Sequence, residues 1–247
     1  MEDSSFIFEA IAGVILFVVG VRVLRLASRT SGRHERLLGT YLLLSGISYT
    51  LYTIPLIGNV GSLFTPVTFA GRVVYAISVY FVLEFTRSVF RSNEAWSRWL
   101  VYALMLTLVM GVGISSIQGD WDGYTVSNPW FWCEWLGYTL APLWVGVEGV
   151  LAFRSARKRV RLDFCDPIVA NRYLLWGWFG ILQVCCSLVI VPMYADYEAN
   201  RYFTLGADAL LGCFEILAAV TTWLAFFAPA FYRNWIARVA AGAERGN

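Results

Sequence analysis

Long apolar blocks separated by short polar or basic stretches dominate the chain. Residues 6–24 carry two charges, Glu9 and Arg22, and residues 99–119 carry none. At 1.5 Å of rise per residue, a helix needs roughly 20 mostly apolar residues to cross a ~30 Å hydrocarbon core. Core strands and the helices of soluble domains do not explain blocks this long. The pattern predicts seven helices, over 6–27, 37–58, 68–91, 97–118, 130–153, 172–194 and 205–232. The breaks hold turn formers. Asn59-Val60-Gly61-Ser62 and Pro66 divide helices two and three, and Gly119-Asp120-Trp121-Asp122-Gly123 and Pro129 divide four and five. The basic stretch from Arg154 to Asp166 is closed by Pro167. The expected fold is an all-α membrane protein, with residues 1–247 forming a single seven-helix transmembrane domain.

Composition agrees with this reading. Hydrophobic residues make up 58% of the chain and charged residues 15%, against about 25% charged in a soluble domain. Trp and Tyr gather at the predicted helix ends, among them Trp96, Trp99, Trp121, Trp130, Tyr194 and Trp235, where amphipathic rings favour the headgroup level. The first block follows acidic Met1-Glu2-Asp3 instead of a basic leader, so it is expected to remain as a span and not to be removed as a signal peptide.

The net charge of +2 matters less than its placement. Every Lys and Arg except Arg72 and Arg201 lies in 22–36, 87–98, 154–172 or 233–245. Basic loops are retained in the cytoplasm, which predicts the N-terminus outside and the C-terminus cytoplasmic. A weak internal echo accompanies this threading: Arg36 and Pro55 in helix two match Arg172 and Pro192 in helix six, and Thr68-Phe-Ala-Gly answers Thr204-Leu-Gly-Ala. It suggests a 3+1+3 pseudo-repeat with helix four unpaired. Shared amphipathic constraints would produce the same echo.

Charged side chains inside hydrocarbon are expensive and usually face the bundle interior. Counting rise per residue, Glu9, Arg72, Glu134 and Asp208 lie roughly 10–15 Å to the outer side of the helix midplanes. Arg72 is then a counter-ion for several carboxylates in an outer polar vestibule. Alternatively these are helix-end groups, since the three carboxylates sit near helix N-termini, where the dipole favours negative charge without any function. An inner layer comprises Arg22, Glu84, Arg87 and Glu148. Glu84 and Arg87 share a helix face. The layer is either an ionic lock that changes with helix movement or a permanent tie, and Arg22 and Arg87 also have the option of snorkelling to the surface.

Glu215, in Cys213-Phe214-Glu215-Ile216-Leu217 near the middle of helix seven, has no cation nearby in sequence. Such a carboxyl is best accommodated neutral and hydrogen-bonded. It is a candidate for binding a cation or a ligand's polar group, or for relaying protons. The structural alternative is an interhelical hydrogen bond to a Ser, a Thr, a Tyr or Gln183. Trp176 and Trp178 in helix six are candidates for lining an apolar ligand pocket, and bundle packing is the other use of such rings.

Several function classes are excluded. Cys133, Cys165, Cys185, Cys186 and Cys213 show no disulfide or metal spacing, and His34 is the one histidine, so no metal site is expected. Nucleophile elbows, Asp-rich diphosphate motifs and phosphate-binding loops are missing, and no enzymatic activity is expected. The topology is similar to that of microbial rhodopsins. However, Gly212 stands four residues after Asp208 where a retinal lysine would be, and the only lysine is Lys158 in a loop. No Schiff base forms without a buried amine, so covalent retinal is excluded and no cofactor is expected.

The acidic start, the Arg-rich first loop running into Arg36-Leu-Leu-Gly-Thr-Tyr-Leu-Leu-Leu, and the exit Thr222-Trp-Leu-Ala-Phe-Phe-Ala-Pro-Ala-Phe-Tyr-Arg form a pattern. It resembles bacterial seven-transmembrane sensor modules such as those preceding histidine kinases. The resemblance implies a multi-pass protein of the bacterial inner membrane. It departs from the pattern after Arg233, where only a short tail follows, so a separate cytoplasmic signalling partner is expected. The basic 154–161 segment is a docking surface for such a partner or for lipid headgroups. The expected function is a receptor-like sensor of an apolar or small-molecule ligand. A small-solute or proton-coupled transporter using Glu215, and an accessory subunit of a membrane complex, are the alternatives. No nucleic-acid partner is expected.

Overall fold

The computed structural model describes the backbone of residues 4–58, 64–118, 126–195 and 201–245, with side chains for 7–52, 66–118, 126–193 and 206–239. Eight helices account for nearly all of it: α1 (Ser4–Thr30), α2 (Arg33–Gly58), α3 (Phe64–Phe90), α4 (Ala95–Ile117), α5 (Pro129–Val160), α6 (Pro167–Ala195), α7 (Arg201–Phe227) and α8 (Ala230–Arg245). Among the described residues there is no strand. Neighbours in sequence pack side by side from α1 to α7, and α7 closes the bundle against α1. α3 also reaches α5 behind α4.

Six helices (α1, α3, α4, α5, α6 and α7) are long and apolar enough to cross a bilayer. The burial pattern fits lipid rather than water. Large apolar side chains such as Val14, Trp99, Leu106, Val109 and Leu188 point outward, while Arg72, Glu84, Glu134, Glu148 and Glu215 are buried. Polar groups on the inside of an apolar surface are what a hydrocarbon solvent selects. The chain is an all-α, membrane-embedded, multi-pass protein. α2 lies between α1 and α3, and its apolar stretch continues into 53–58, outside the described side chains.

Three helix pairs meet almost backbone to backbone: α1 with α2, α4 with α5 at Gly111 and Glu134, and α5 with α6. On α1 and α2, a Cβ on Gly46 would stand 2.6 Å from the Phe17 nitrogen. On α5 and α6, a Cβ on Gly149 would stand 2.6 Å from the Gly177 nitrogen. With no hydrophobic force between helices in lipid, such small residues let van der Waals contact hold them together.

The helix ends obey local rules, and three of them correct the sequence reading. Asn128 caps α5 by accepting from the Trp130 amide at 3.0 Å, with Pro129 at the first helical position. Asp166 accepts from the Ile168 amide at 2.8 Å and starts α6 at Pro167 instead of 172. α5 runs on to Val160 instead of stopping near 153, because Arg157, Lys158 and Arg159 suit the negative end of a helix that has left the hydrocarbon. The expected seventh helix, 205–232, is two helices. Pro229 disfavours a helical Ala228 and cannot continue the ladder, so α7 stops at Phe227. α8 then packs on α6, with Ile236 buried and Asn171 Nδ2 donating to the Tyr232 hydroxyl at 3.0 Å. Phe231, Trp235 and Val239, spaced four apart, form an exposed apolar stripe, the design of a helix lying along a membrane surface.

Candidate functional site

The structure separates the proposed outer vestibule into two clusters. Arg72 of α3 is clamped by Glu134 of α5, with Nε to Oε1 at 3.3 Å and the terminal nitrogen to Oε2 at 2.6 Å. The same nitrogen donates to Ser115 Oγ on α4 at 2.8 Å. Arg72 and Glu134 are 8% and 5% exposed, so this bidentate pair is a buried tie across three helices. Gly111 permits it, since a Cβ there would stand 2.7 Å from the Glu134 nitrogen.

Glu9 and Asp208 fall with Glu215, on α1 and α7. Glu9 lies within electrostatic reach of both other acids. The Tyr49 hydroxyl of α2 hydrogen-bonds the Glu215 carboxyl. Glu215 is 7% exposed, and its Oε2 has no hydrogen-bond partner among the described residues. Nor do any three His, Cys, Asp or Glu side chains among the described residues converge as metal ligands. The three acids are therefore strung along the α1–α7 seam instead of wrapped around one point. Their order by rise, Glu9 and Asp208 near the helix starts and Glu215 about two turns deeper on α7, leads from one end of the bundle inward.

The inner layer also resolves into separate groups. Glu84 accepts from Arg87 through both oxygens, at 2.7 Å each, and from Arg33 at 3.1 Å. Glu148 pairs with Arg91, Nε to Oε1 at 2.7 Å, and accepts from the Trp144 indole at 3.2 Å. Arg91 also holds Glu94 at 2.8 Å, and Glu94 is bonded by the Trp96 indole. Among the described residues Arg22 joins no carboxylate. Its guanidinium sits 4.3 Å from the centre of the Phe227 ring on α7, a cation–π contact. The start of α2, the last two turns of α3, the body of α5 at Glu148 and the α3–α4 connection are thus tied by two ionic knots.

Arg33 and Glu94 lie outside the predicted spans and Arg91 is the last residue of one, so the sequence reading does not place them in this layer. The i, i+3 spacing of Arg91 and Glu94 was the available signal. Glu94, past the end of α3, is held below the usual carboxylate range, first by Arg91 and then by Trp96. Its link to Arg91 is accordingly intact at neutral pH and is lost as acid titrates the carboxyl through that lowered value. Acidification is expected to change the Trp96 environment, read as a fluorescence transition that Glu94→Gln abolishes.

Trp176 and Trp178, two apart on a helix, face opposite ways. Trp176 is buried, stacked on Phe179 at 5.0 Å and edge-on to Phe85 at 5.7 Å, in the core cluster that joins α1, α2, α3, α5, α6 and α7. Trp178 is half exposed on the outer side, against the basic end of α5. The bundle centre has a cavity of about 10 Å³ between Tyr41, Tyr75, Tyr138, Pro142, Phe179 and Gln183, room for no more than about one water. Compared with family models, with curated proteins and with solved structures, the chain matches none.

Proposed function

We propose that the chain is a receptor-like sensor that crosses a bacterial cell membrane seven times. Its N-terminus is outside, and the 154–161 segment and α8 are in the cytoplasm. The near-complete confinement of Lys and Arg to alternate connections supports this threading, and the position of α2 between α1 and α3 supports its counting as the seventh span. The observation that carries the sensor reading is the bare Oε2 of Glu215. Buried polar atoms are almost always paired, and an unsatisfied one costs about 1–3 kcal/mol. A cation, or a hydroxyl or amine of a small ligand, regains that energy by docking there beside Tyr49.

α7 is the lever. It carries Glu215 at mid-span and Phe227, the partner of Arg22, as its last residue. A ligand that binds one packing of α7 against α1 and α2 better than another shifts the population between them. The ionic knots around Glu84 and Glu148 then register the shift, and a separate cytoplasmic partner reads it. No cofactor or catalytic step enters this mechanism.

A second reading, a proton-coupled transporter, is favoured by the line of acids Glu9, Asp208 and Glu215. Two measurements on Glu215→Gln separate the readings. For a sensor, native mass spectrometry of gently purified protein retains a small-molecule mass on the wild type that drops at least about tenfold in the variant, the worth of one charge-assisted bond. Liposomes then show no Glu215-dependent flux. Proton or solute uptake that Glu215→Gln abolishes would replace the sensor with the transporter.

A further inference from the structure

One face of α5, continued by its C-cap Arg161, carries Val150, Phe153, Arg154, Arg157 and Lys158, at the 3–4 spacing that aligns side chains along a helix. Leu174, Trp178 and Ile181 of α6 stand opposite, at the same spacing. Between them runs a groove of about 550 Å³. Its position follows from the glycine contact. The two backbones touch at Gly149 and Gly177, and the larger side chains from Val150 onward hold the helices apart toward their basic ends. Over the roughly 16 Å from Val150 to Arg161, the lining changes from apolar to cationic.

The cationic half is uncompensated. Among the described residues no carboxylate lies within ion-pair distance of Arg154, Arg157, Lys158 or Arg161, and like charges at this spacing repel. The apolar half opens sideways, with Trp178 and Ile181 exposed on the surface that faces the bilayer. We propose that this groove is a binding site for one anionic phospholipid. Its phosphate is held by Arg154, Arg157, Lys158 and Arg161, and an acyl chain lies along Val150, Phe153, Trp178 and Ile181. Guanidinium groups bind phosphate through paired, directional hydrogen bonds, and basic pockets between spanning helices suit such headgroups. A free anion would satisfy the cations and leave the apolar half uncovered, which selects the lipid. The site is independent of what Glu215 binds, because it lies on the outer side of α5 and α6.

The test uses the full chain in nanodiscs, with phosphatidylglycerol or phosphatidylcholine of matched acyl chains as probes. Native mass spectrometry after release is expected to show one retained phosphatidylglycerol and little phosphatidylcholine. Arg154→Ala/Arg157→Ala should weaken retention about fivefold for each cation removed. Trp178→Ala should weaken it without altering the preference for the anionic headgroup. Arg233→Ala/Arg238→Ala, on α8, should leave it unchanged. Lys158→Glu, a single exposed change, repeats the test should the double variant fail to fold. Equal retention of the two lipids, or equal loss from the α8 variant, would show a general basic surface and overturn the proposal. Displacement by millimolar inorganic phosphate would do the same, by reducing the site to an anion site.

Discussion

Arg72→Met is expected to cost the bundle about 3–5 kcal/mol, because it removes the cation that both oxygens of buried Glu134 face. The geometry sets the size. Both carboxylate oxygens of Glu134 are engaged by Arg72, at 3.3 and 2.6 Å, and the arginine also ties in Ser115 of α4. With the guanidinium gone, α3, α4 and α5 lose a shared anchor as well as a charge balance. The loss should fall toward the lower bound, since partners are also found in the unfolded-in-membrane state. The double variant Arg72→Met/Glu134→Leu is expected to recover most of it, because removing both charges also removes their desolvation penalty. Glu134→Gln should be milder than Arg72→Met, as a neutral amide still accepts one bond. Unfolding by SDS titration in mixed micelles, followed by tryptophan fluorescence, measures all three variants. Arg72→Met within about 1 kcal/mol of wild type would mean that water or headgroups already solvate this pair, and that burial in the bundle is not what holds it.

The helices were legible because hydrocarbon imposes a length and a polarity that composition cannot hide. Each block predicted as a helix falls, to within one residue, inside one of α1 to α7, apart from the far end of the seventh. Pro229 was visible there, but an unbroken apolar run into Phe231 and Tyr232 masked the change from a crossing helix to one packed against α6. Depth was also readable. Rise per residue put Arg72 with Glu134, and Glu84 with Arg87, at common heights, and both pairs formed. Azimuth was not readable. One coordinate along the membrane normal cannot tell which side of the bundle a residue faces, so Glu9 and Asp208 were grouped with Arg72 although they lie with Glu215. For the same reason Arg22 was assigned to the carboxylate layer although it faces Phe227. Partners at or beyond the span ends, such as Arg91 and Arg33, reach back into the layer on long side chains, a reach that helix boundaries conceal.

The second large effect is expected at the α5–α6 contact. A Cβ on Gly180 would meet the Gly146 backbone nitrogen and stand 2.5 Å from the Pro142 carbonyl oxygen. Both are backbone atoms of a helix, so nothing can give way by a rotamer change. Gly180→Ala should therefore destabilise by about 1–3 kcal/mol, the ordinary range of overpacking, and Gly180→Leu by more, by prising the helices apart. Two other glycines calibrate the claim. At Gly137 the added Cβ would meet the buried Leu108 side chain, 2.6 Å from its Cδ2; a side chain shifts more readily than helix backbone, so Gly137→Ala should cost less. At Gly113 nothing lies within 4 Å, and Gly113→Ala should stabilise α4 by up to about 1 kcal/mol through backbone entropy alone. The order Gly113, Gly137, Gly180 in SDS unfolding is the prediction. A widened α5–α6 interface also shifts the floor of the basic groove, so Gly180→Leu protein that still folds should hold phosphatidylglycerol less well although none of its cations has changed. Equal stability of Gly180→Ala and Gly113→Ala would mean that α5 and α6 do not meet backbone to backbone, and the groove that opens beyond their contact would go with it.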